Sequence, residues 1–355
     1  MLYWGGNVDL RANLRANLRA RGPLMTESDE NVHIPVLADE IVALLGGSGD
    51  LEESDGWIVD ATLGAGGHSA LLLERFPRVR VLGIDQDPEI LTLARERLEP
   101  FGERVQIERC RISELSRLMR KLRRERPLGF LMDVGVSSLQ LDRPDRGFSF
   151  STDGPLDMRM DPDRARSAAD IVNTWDEVDL ADLFYHEGGE TRARRIAAEI
   201  VRWRRRAPFK RTGALAELVS HALGRVGGRI HPATKVFQAL RRAVNEEGDE
   251  LLAGLATAEW WLADGGVLAV ISFHSGEDGA VKRFLREGDQ AGNWSLLTKK
   301  PIRPGRQEER QNRRARSACL RGAIRTRRSP TDVAFPPAHT LAGDRHVGDE
   351  KEEES

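Results

Sequence analysis

The chain has 355 residues, 40% of them hydrophobic and 31% charged, and its 54 Lys and Arg against 56 Asp and Glu give a net charge of −2. No run approaches the ~18 consecutive apolar residues of a membrane span, and the N-terminus lacks the apolar core of a secretory signal. Cys110 and Cys319 are too few for a disulfide framework or a Cys-based zinc site. We therefore expect a soluble cytoplasmic protein without membrane role or metal site, with room for roughly two domains of ~150 residues.

The two ends of the chain differ from its middle. The first 30 residues hold a short Arg-Ala-Asn-Leu repeat and few apolar residues, and the segment 338–355 is polar and charged. We expect 1–30 to be a disordered extension and 338–355 a loose tail. Met25 precedes a segment typical of an ordinary cytoplasmic start, so we hypothesise that residues 1–24 reflect a misassigned start site, which an intact-mass measurement on native protein would test.

Between these ends, short apolar β-rich runs alternate with helical patterns. Strands are predicted at 57–61, 80–84, 104–108 and 128–134. Helices are predicted between them at 69–75, 89–98 and 113–124. This alternation is typical of a parallel sheet with helices on both faces, so the predicted fold class is α/β and doubly wound.

The alternation stops after residue 138 and resumes much later. Helices are predicted at 177–186, 191–206 and 212–222. After them come a strand at 267–273, a helix at 278–286 and strands at 294–299 and 317–324. We predict a discontinuous domain made of residues 31–138 and 232–328, interrupted by a mostly helical insert at 139–231 that recognises the substrate.

A glycine-rich turn joins the first strand to its helix, with the sequence Asp-Ala-Thr-Leu-Gly-Ala-Gly-Gly-His from residue 60. Glycines in such a turn let the backbone approach a ligand closely. Asp85 ends the second strand, where a carboxylate can accept hydrogen bonds from ribose hydroxyls. Together, the turn and Asp85 predict a nucleoside cofactor.

The glycine spacing bears on which nucleoside cofactor is bound. A dinucleotide site prefers Gly-x-Gly-x-x-Gly, because helix amides then meet a pyrophosphate, whereas here the order is Gly64-x-Gly66-Gly67. This spacing favours S-adenosylmethionine, which has no phosphate. From these residues alone, NAD remains the alternative.

A second carboxylate, Asp133, ends the fourth strand after an apolar run. An unpaired carboxylate is costly to bury there, so Asp133 either caps the following turn or works in a site. The carboxyl edge of an open α/β sheet borders the ligand crevice. We therefore favour a site role for Asp133.

Basic residues concentrate in two segments despite the near-neutral net charge. Residues 299–328 contain twelve Lys and Arg against two acidic residues. A second cluster comprises Arg192, Arg194, Arg195, Arg202, Arg204, Arg205, Arg206, Lys210 and Arg211. Such segregation favours a polyanionic partner, and the alternative is that both are ordinary solvated helix faces.

A series of motifs makes the resemblance to a known family specific. They lie at 60–69, 133–140, 146–150, 153–161, 231–235, 271–275 and 314–317. Over residues 31–328 the chain resembles the RsmH (MraW) family of 16S ribosomal RNA cytosine-N4 methyltransferases. The resemblance implies a class I (Rossmann-like) methyltransferase fold with an inserted helical domain. It also implies S-adenosylmethionine as methyl donor and a decoding-centre cytidine of 16S rRNA in the small ribosomal subunit as acceptor.

The resemblance also implies site residues. The cofactor contacts fall on Gly66, Gly67, His68, Asp85, Ile112, Asp133 and Gln140. At Ile112 many relatives have an aromatic residue, so stacking would become plain apolar contact. We predict Asp133 as the catalytic acceptor beside the reacting amine, with His274 as the alternative, and Arg314 and Arg316 as RNA-binding residues.

Two other functions stay open at this stage. One is a methyltransferase of the same fold that acts on another RNA or on a protein. The other is a ribosome-assembly factor that binds RNA without catalysis. The sequence does not decide between a monomer and a homodimer.

Overall fold

The computed structural model describes residues 35–47, 51, 55–123, 125–224 and 231–326. The extension 1–30, the start-site hypothesis at Met25 and the tail 338–355 lie outside the described residues. Within them, the strands are β1 (Trp57–Asp60), β2 (Arg80–Asp85), β3 (Val105–Arg109), β4 (Gly129–Asp133), β5 (Val267–Ser272), β6 (Trp294–Leu296) and β7 (Cys319–Arg325). They form one sheet in the order β3-β2-β1-β4-β5-β7-β6.

The first five strands run parallel, and β7 is antiparallel to both β5 and β6. β1 and β4 are neighbours at the centre of the sheet. From β1 the chain adds β2 and β3 on one side, and from β4 it adds β5 on the other, so the strand order reverses between β1 and β4. Asp60, Asp85 and Asp133 are the last residues of β1, β2 and β4. The carboxyl ends of parallel strands meet at one edge, so these three acids lie where open α/β sheets bind ligands.

The helices preceding the insert are α1 (Ala38–Gly46), α2 (Gly67–Arg75), α3 (Pro88–Leu98) and α4 (Leu115–Lys121). The helices that follow β4 in the chain are α5 (Ser138–Asp142), α6 (Ala168–Thr174), α7 (Glu177–His186), α8 (Ala193–Arg204), α9 (Thr212–Leu223), α10 (Thr234–Asn245), α11 (Glu247–Trp261), α12 (Ser275–Gln290) and α13 (Arg306–Gln311). In the described part of the chain, no helix combines the length and the apolar character needed to cross a bilayer.

Both faces of the sheet are covered, as the doubly wound prediction requires. Ile58 and Leu131 belong to one buried cluster, whereas their neighbours Val59 and Phe130 belong to another on the opposite face. Successive side chains of a strand point to opposite faces, so each strand feeds both cores. The predicted α/β fold class is confirmed.

The helical segment has a hydrophobic core of its own. This core includes Phe148 and Met158 from the irregular chain after α5, and apolar residues of α6 to α9. It also includes Val236 and Leu240 of α10, beyond the predicted end of the insert at residue 231. The domain boundaries remain predictions, and the packing places α10 with the helical core.

Candidate active site

A cavity lies at the carboxyl edge of the sheet, beside the ends of β1, β2 and β4. Predicted site residues that line it are Gly67, His68, Asp85, Ile112, Asp133, Gln140 and Arg314. Gly66, His274 and Arg316 are not among the lining residues. Most of the predicted site residues therefore line one cavity, and three of them do not.

The turn after β1 is held by the carboxylate of Asp60, the first residue of the glycine-rich motif. Asp60 is buried and accepts hydrogen bonds from the backbone N–H of Thr62 at 3.2 Å and from Ser69 Oγ at 2.7 Å. Burial raises the pKa of Asp60. Gly66 precedes α2 with φ at 79°, a left-handed conformation that disfavours a side chain. Gly66 therefore shapes the turn, and Gly67 lines the cavity.

Asp85 is oriented by two backbone donors. Its carboxylate accepts the N–H groups of Gly64 and Asp87, both at 3.0 Å. Burial raises the pKa of Asp85 to about 6, since desolvation disfavours the charged form. The oxygens are fixed at the end of β2, in the position where a carboxylate receives ribose hydroxyls.

Gln86 is a cavity residue that the sequence reading missed. Its Nε2 donates to Met160 Sδ at 3.2 Å, while its Oε1 is buried without a hydrogen-bond partner among the described residues. A buried acceptor without a donor is costly, so this oxygen fits a ligand that brings an N–H or O–H group. A nucleoside carries such donors on its base and its ribose.

The wall of the cavity after β3 is apolar. Ile112 begins the turn Ile112–Glu114 and lines the cavity together with Cys110 and Leu251. Burial raises the pKa of the Cys110 thiol to about 12, which keeps it protonated at neutral pH. This wall offers van der Waals contact to a flat base and contains no reactive thiolate.

Asp133, the last residue of β4, lines the cavity. Its backbone N–H donates to Thr62 Oγ1 at 2.6 Å, which ties the end of β4 to the turn after β1. His68 Nδ1 is 3.8 Å from Asp133 Oδ2, and His68 Nε2 is 2.8 Å from the carbonyl oxygen of Val36. A carbonyl only accepts, so we assign the proton of a neutral His68 to Nε2.

Arg314 and Arg316 lie in different environments although only Ala315 separates them. Both belong to a tight turn, Arg313–Ser317, capped by Asn312, whose Oδ1 accepts the Arg314 N–H at 3.1 Å. Arg314 lines the cavity, where burial lowers its pKa and the carboxylate of Asp133 opposes that shift. Arg316 is exposed. The structure therefore separates the two residues that were predicted to act together on RNA.

Gln140 is buried in a hydrogen-bond network beneath the cavity. It forms a capping box with Ser137 at the start of α5, and its Nε2 donates to Asp87 Oδ2 at 2.8 Å. Both ends of its amide are therefore used within the protein. Gln140 contributes shape and a fixed position to the cavity wall.

His274, the alternative catalytic residue, begins helix α12. Its Nδ1 accepts the backbone N–H groups of Gly276 at 3.1 Å and Glu277 at 3.3 Å. Its Nε2 is 2.8 Å from Glu277 Oε1. Burial would raise the pKa of Glu277, but His274 and a backbone N–H together lower it. The imidazole is thus occupied by the helix start, which lies three residues before the predicted one.

The cavity also receives residues from the junction of α10 and α11. Asn245, Glu247 and Glu250 line it, and Glu250 binds Arg111 and the backbone N–H of Ser113. No local motif marks these residues. They reach the cavity because α11 packs against the turn after β3.

The sheet has the strand order of a class I methyltransferase, with an antiparallel β7. Its cavity combines Asp85 at the end of β2, an apolar wall and Asp133 at the end of β4. These features define a class I S-adenosylmethionine-dependent methyltransferase. A family model described as the MraW methylase family matches residues 30–326. The chain belongs to this family, and membership confirms the predicted class of enzyme and its cofactor.

Three curated relatives share the name ribosomal RNA small subunit methyltransferase H. The relative from Synechococcus elongatus is 46% identical and aligns over 82% of this chain and 94% of its own length. Those from Sorangium cellulosum and Methylobacterium are 48% and 44% identical, over 82% and 83% of this chain and 90% and 91% of their own lengths. A solved rRNA methylase from Streptococcus thermophilus aligns over 83% of this chain and 100% of its own, with 13% identity and a TM-score of 0.40.

Proposed function

We propose that the protein transfers a methyl group from S-adenosylmethionine to the N4 amino group of a decoding-centre cytidine in 16S rRNA, acting on the small ribosomal subunit in the cytoplasm. The observation that carries the proposal is Asp133, a carboxylate in the cofactor cavity of a family member. The shared name of the curated relatives supports small-subunit rRNA as the substrate.

The cavity residues fit the cofactor by their chemistry. Asp85 would accept the ribose hydroxyls, Gln86 Oε1 would accept a further N–H or O–H group, and Ile112 would contact the adenine. Gly66 shapes the turn, and Gly67 and His68 line the part of the cavity that would receive the amino-acid end. Gln140 forms part of the cavity wall. When bound, S-adenosylmethionine supplies a methyl group on a positively charged sulfur.

Asp133 acts on the cytosine amine. The lone pair of that amine is delocalised into the ring, so the amine is a poor nucleophile unless it sheds a proton as it reacts. The ionised carboxylate of Asp133 would accept this proton, and the methyl group would pass to the amine nitrogen as its bond to sulfur breaks and leaves a neutral thioether. Thr62 fixes the position of Asp133, and positioning supplies much of the acceleration.

The guanidinium of Arg314 favours the ionised form of Asp133, to which it is electrostatically coupled. A cation within a few ångströms of a carboxylate favours its ionised form. Arg314 reaches the cavity from the turn before β7, and His68 holds its ring on the carbonyl of Val36. Arg316, on the exposed side of the same turn, contacts the phosphates of the RNA.

The test is methylation of small ribosomal subunits that lack the modification. Purified protein is incubated with S-adenosylmethionine and these subunits, and the RNA is digested and its nucleosides are analysed by mass spectrometry. We expect N4-methylcytidine with the wild-type protein and a severe reduction with Asp133→Asn. Absence of N4-methylcytidine while the protein still binds S-adenosylmethionine would refute this substrate, and a methyl group on another nucleoside or on protein would identify the alternative.

A further inference from the structure

Helix α8 and the turn that follows it form the most basic continuous segment of the helical insert. Nine Lys and Arg residues lie between positions 192 and 211, against one acidic residue, Glu199. Cations of this segment that form no ion pair or hydrogen bond within the protein are available to bind a partner.

Four of the nine cations have structural partners. Arg192 donates to the backbone carbonyl of Leu223 at 2.9 Å, and Arg204 donates to the backbone carbonyl of Val172 at 2.8 Å. The other two pair with carboxylates, Arg202 with Glu199 and Arg211 with Asp153. Arg194, Arg195, Arg205, Arg206 and Lys210 are exposed, and none pairs with an acidic side chain among the residues that the structure describes. We call these five residues the α8 cations.

The α8 cations lie on the solvent side of one helix and its continuation. Ala193, Ile196 and Ile200 bury the opposite side of α8 in the helical core. Arg194 and Arg195 are exposed on the helix itself, and Arg205, Arg206 and Lys210 are exposed on the chain that follows it. Trp203, next to the last residue of α8 and close in sequence to Arg205 and Arg206, is 48% exposed. An exposed aromatic ring among cations suits a single-stranded nucleic acid, because a base can stack on it while phosphates meet the cations.

The turn that carries the last α8 cations is rigid. Phe209 is buried, and its backbone exchanges two hydrogen bonds of 2.8 Å with the side chain of Asn173. The next residue, Lys210, accepts the N–H of Leu156 at 2.9 Å through its carbonyl oxygen. A surface that is already ordered pays little conformational entropy when it binds a partner.

This turn is also close to the cofactor cavity. Leu156 is bonded to Lys210, and Met160, four residues further along, lines the cavity. Four residues span at most ~14 Å. A strand whose base enters the cavity therefore passes within reach of Lys210, the last of the α8 cations.

The neighbouring helix has the opposite charge. α7 packs against α8 and exposes Asp176, its N-cap, and Glu177, Asp179 and Asp182. A polyanion is repelled from this acidic surface and attracted to α8. The two helices together confine the path of the strand to one side of the insert.

We propose that the α8 cations bind the phosphates of single-stranded RNA next to the target base, and that Trp203 stacks on one of its bases. This inference rests on the proposed function and adds a site where the substrate RNA is bound. It identifies a second RNA contact outside the cavity and distinct from Arg316.

The test compares paired neutralisations on two helices. Arg205→Gln with Arg206→Gln removes two α8 cations, and Lys282→Gln with Arg283→Gln removes an equally exposed basic pair from α12. Binding of each protein to small subunits lacking the modification is measured over a range of salt concentrations. For the α8 pair we expect at least a tenfold loss of affinity and a salt slope shallower by about 1.4, as two lost phosphate contacts on a single strand predict. The α12 pair should bind like wild type.

Trp203→Ala separates stacking from charge. It should weaken subunit binding by on the order of tenfold without changing the salt slope, and Trp203→Phe should restore most of the affinity. Equal affinity and slope for the α8 and α12 pairs would overturn the proposal. Melting curves establish that the variants are folded, and binding of S-adenosylmethionine should be unchanged in all of them.

The outcomes keep this proposal distinct from the proposed function. If wild type forms N4-methylcytidine and the α8 variants bind normally, only the α8 surface is refuted. If wild type binds subunits through α8 but forms no N4-methylcytidine, the methylation substrate is wrong while the RNA surface stands. Failure of wild type to bind subunits would refute both.

Discussion

Arg146 donates from its Nη2 to Oδ2 of Asp87 at 2.8 Å, and this pair joins the start of the helical insert to the cofactor side of the sheet. The Asp87 side chain is fully buried, caps α3 through the N–H of Glu89 and also accepts from Gln140. The guanidinium of Arg146 further holds the carbonyl of Met160 at 3.0 Å. One side chain thus links a helix start, a wall of the cavity and the chain that enters the insert.

Arg146→Ala should destabilise the protein by about 3–5 kcal/mol, because it leaves a buried carboxylate without its cation. Urea unfolding measures the change. Arg143→Ala is the matched control, since Arg143 pairs with Asp145 and Glu89 at the surface, where all three side chains are at least half exposed, and its loss should change little. Similar unfolding midpoints for the two variants would contradict a structural role for the Arg146–Asp87 pair.

Asp133→Asn should lower the turnover number roughly a hundredfold or more, since an amide cannot accept the proton that a carboxylate accepts. The shape of the side chain is kept, so the fold and most of the cofactor affinity should remain. Single-turnover methylation and calorimetric binding of S-adenosylmethionine separate the two effects. Near-normal turnover would remove Asp133 from the catalytic role.

Cofactor affinity should rise as the pH increases from about 5 to 7, because burial raises the pKa of Asp85 to about 6 and its ionised form accepts hydrogen bonds from ribose hydroxyls more strongly than the neutral acid. Binding to the ionised form also lowers this pKa, so binding at pH 5.5 should release a proton. Calorimetry in buffers of different ionisation enthalpy detects that proton.

Asp85→Asn is the control for this pH dependence. The variant should bind S-adenosylmethionine more weakly at neutral pH and lose most of the rise between pH 5 and 7. If wild type binds equally well across that range, Asp85 does not contact the cofactor through its charge.

Arg314→Ala should move the acid side of the turnover profile to higher pH, because removal of a nearby cation raises the pKa of Asp133. Arg314→Lys keeps the charge and should restore much of the profile. Arg316→Ala should leave the profile unchanged and instead make the salt slope of subunit binding shallower by about 0.7. Indistinguishable effects of Arg314→Ala and Arg316→Ala would mean that the cavity position of Arg314 has no functional consequence.

His274→Ala should cost about 1 kcal/mol of stability through loss of a helix cap, with turnover close to that of wild type. Thermal unfolding and methylation rates measured on the same preparation check both parts. A roughly hundredfold loss of turnover in a folded variant would instead favour His274 as the proton acceptor.

The local features of this fold could be predicted from the sequence. Apolar runs that end in acids placed Asp85 and Asp133 at strand ends, and the strands β1 to β5 lie within a residue or two of their predicted positions. Turn glycines and strand ends depend on a few neighbouring residues, so the chain itself carries the signal. Helices α10 and α11 were not predicted, although the apolar residues of α10 recur at helical spacing and pack into the helical core.

Contacts between distant segments could not be predicted in the same way. Glu250 reaches the cavity only because α11 packs beside the turn after β3. The different environments of Arg314 and Arg316 follow from the side-chain directions of one tight turn, which a basic run does not encode. His274 follows a strand, as the predicted alternative required, but a hydrogen-bonded helix start uses its ring.

The place of β7 imposes an order on the folding of the nascent chain. β5 keeps one unpaired edge until residues 319–325 have been synthesised, because β7 lies between β5 and β6. The turn that carries Arg314 immediately precedes β7, so the cavity gains this side chain late in translation. The parallel strands can pair earlier, as N-terminal segments do during synthesis. Each new molecule therefore completes its cavity only after almost all of its described residues have emerged, and long after the α8 cations have been synthesised.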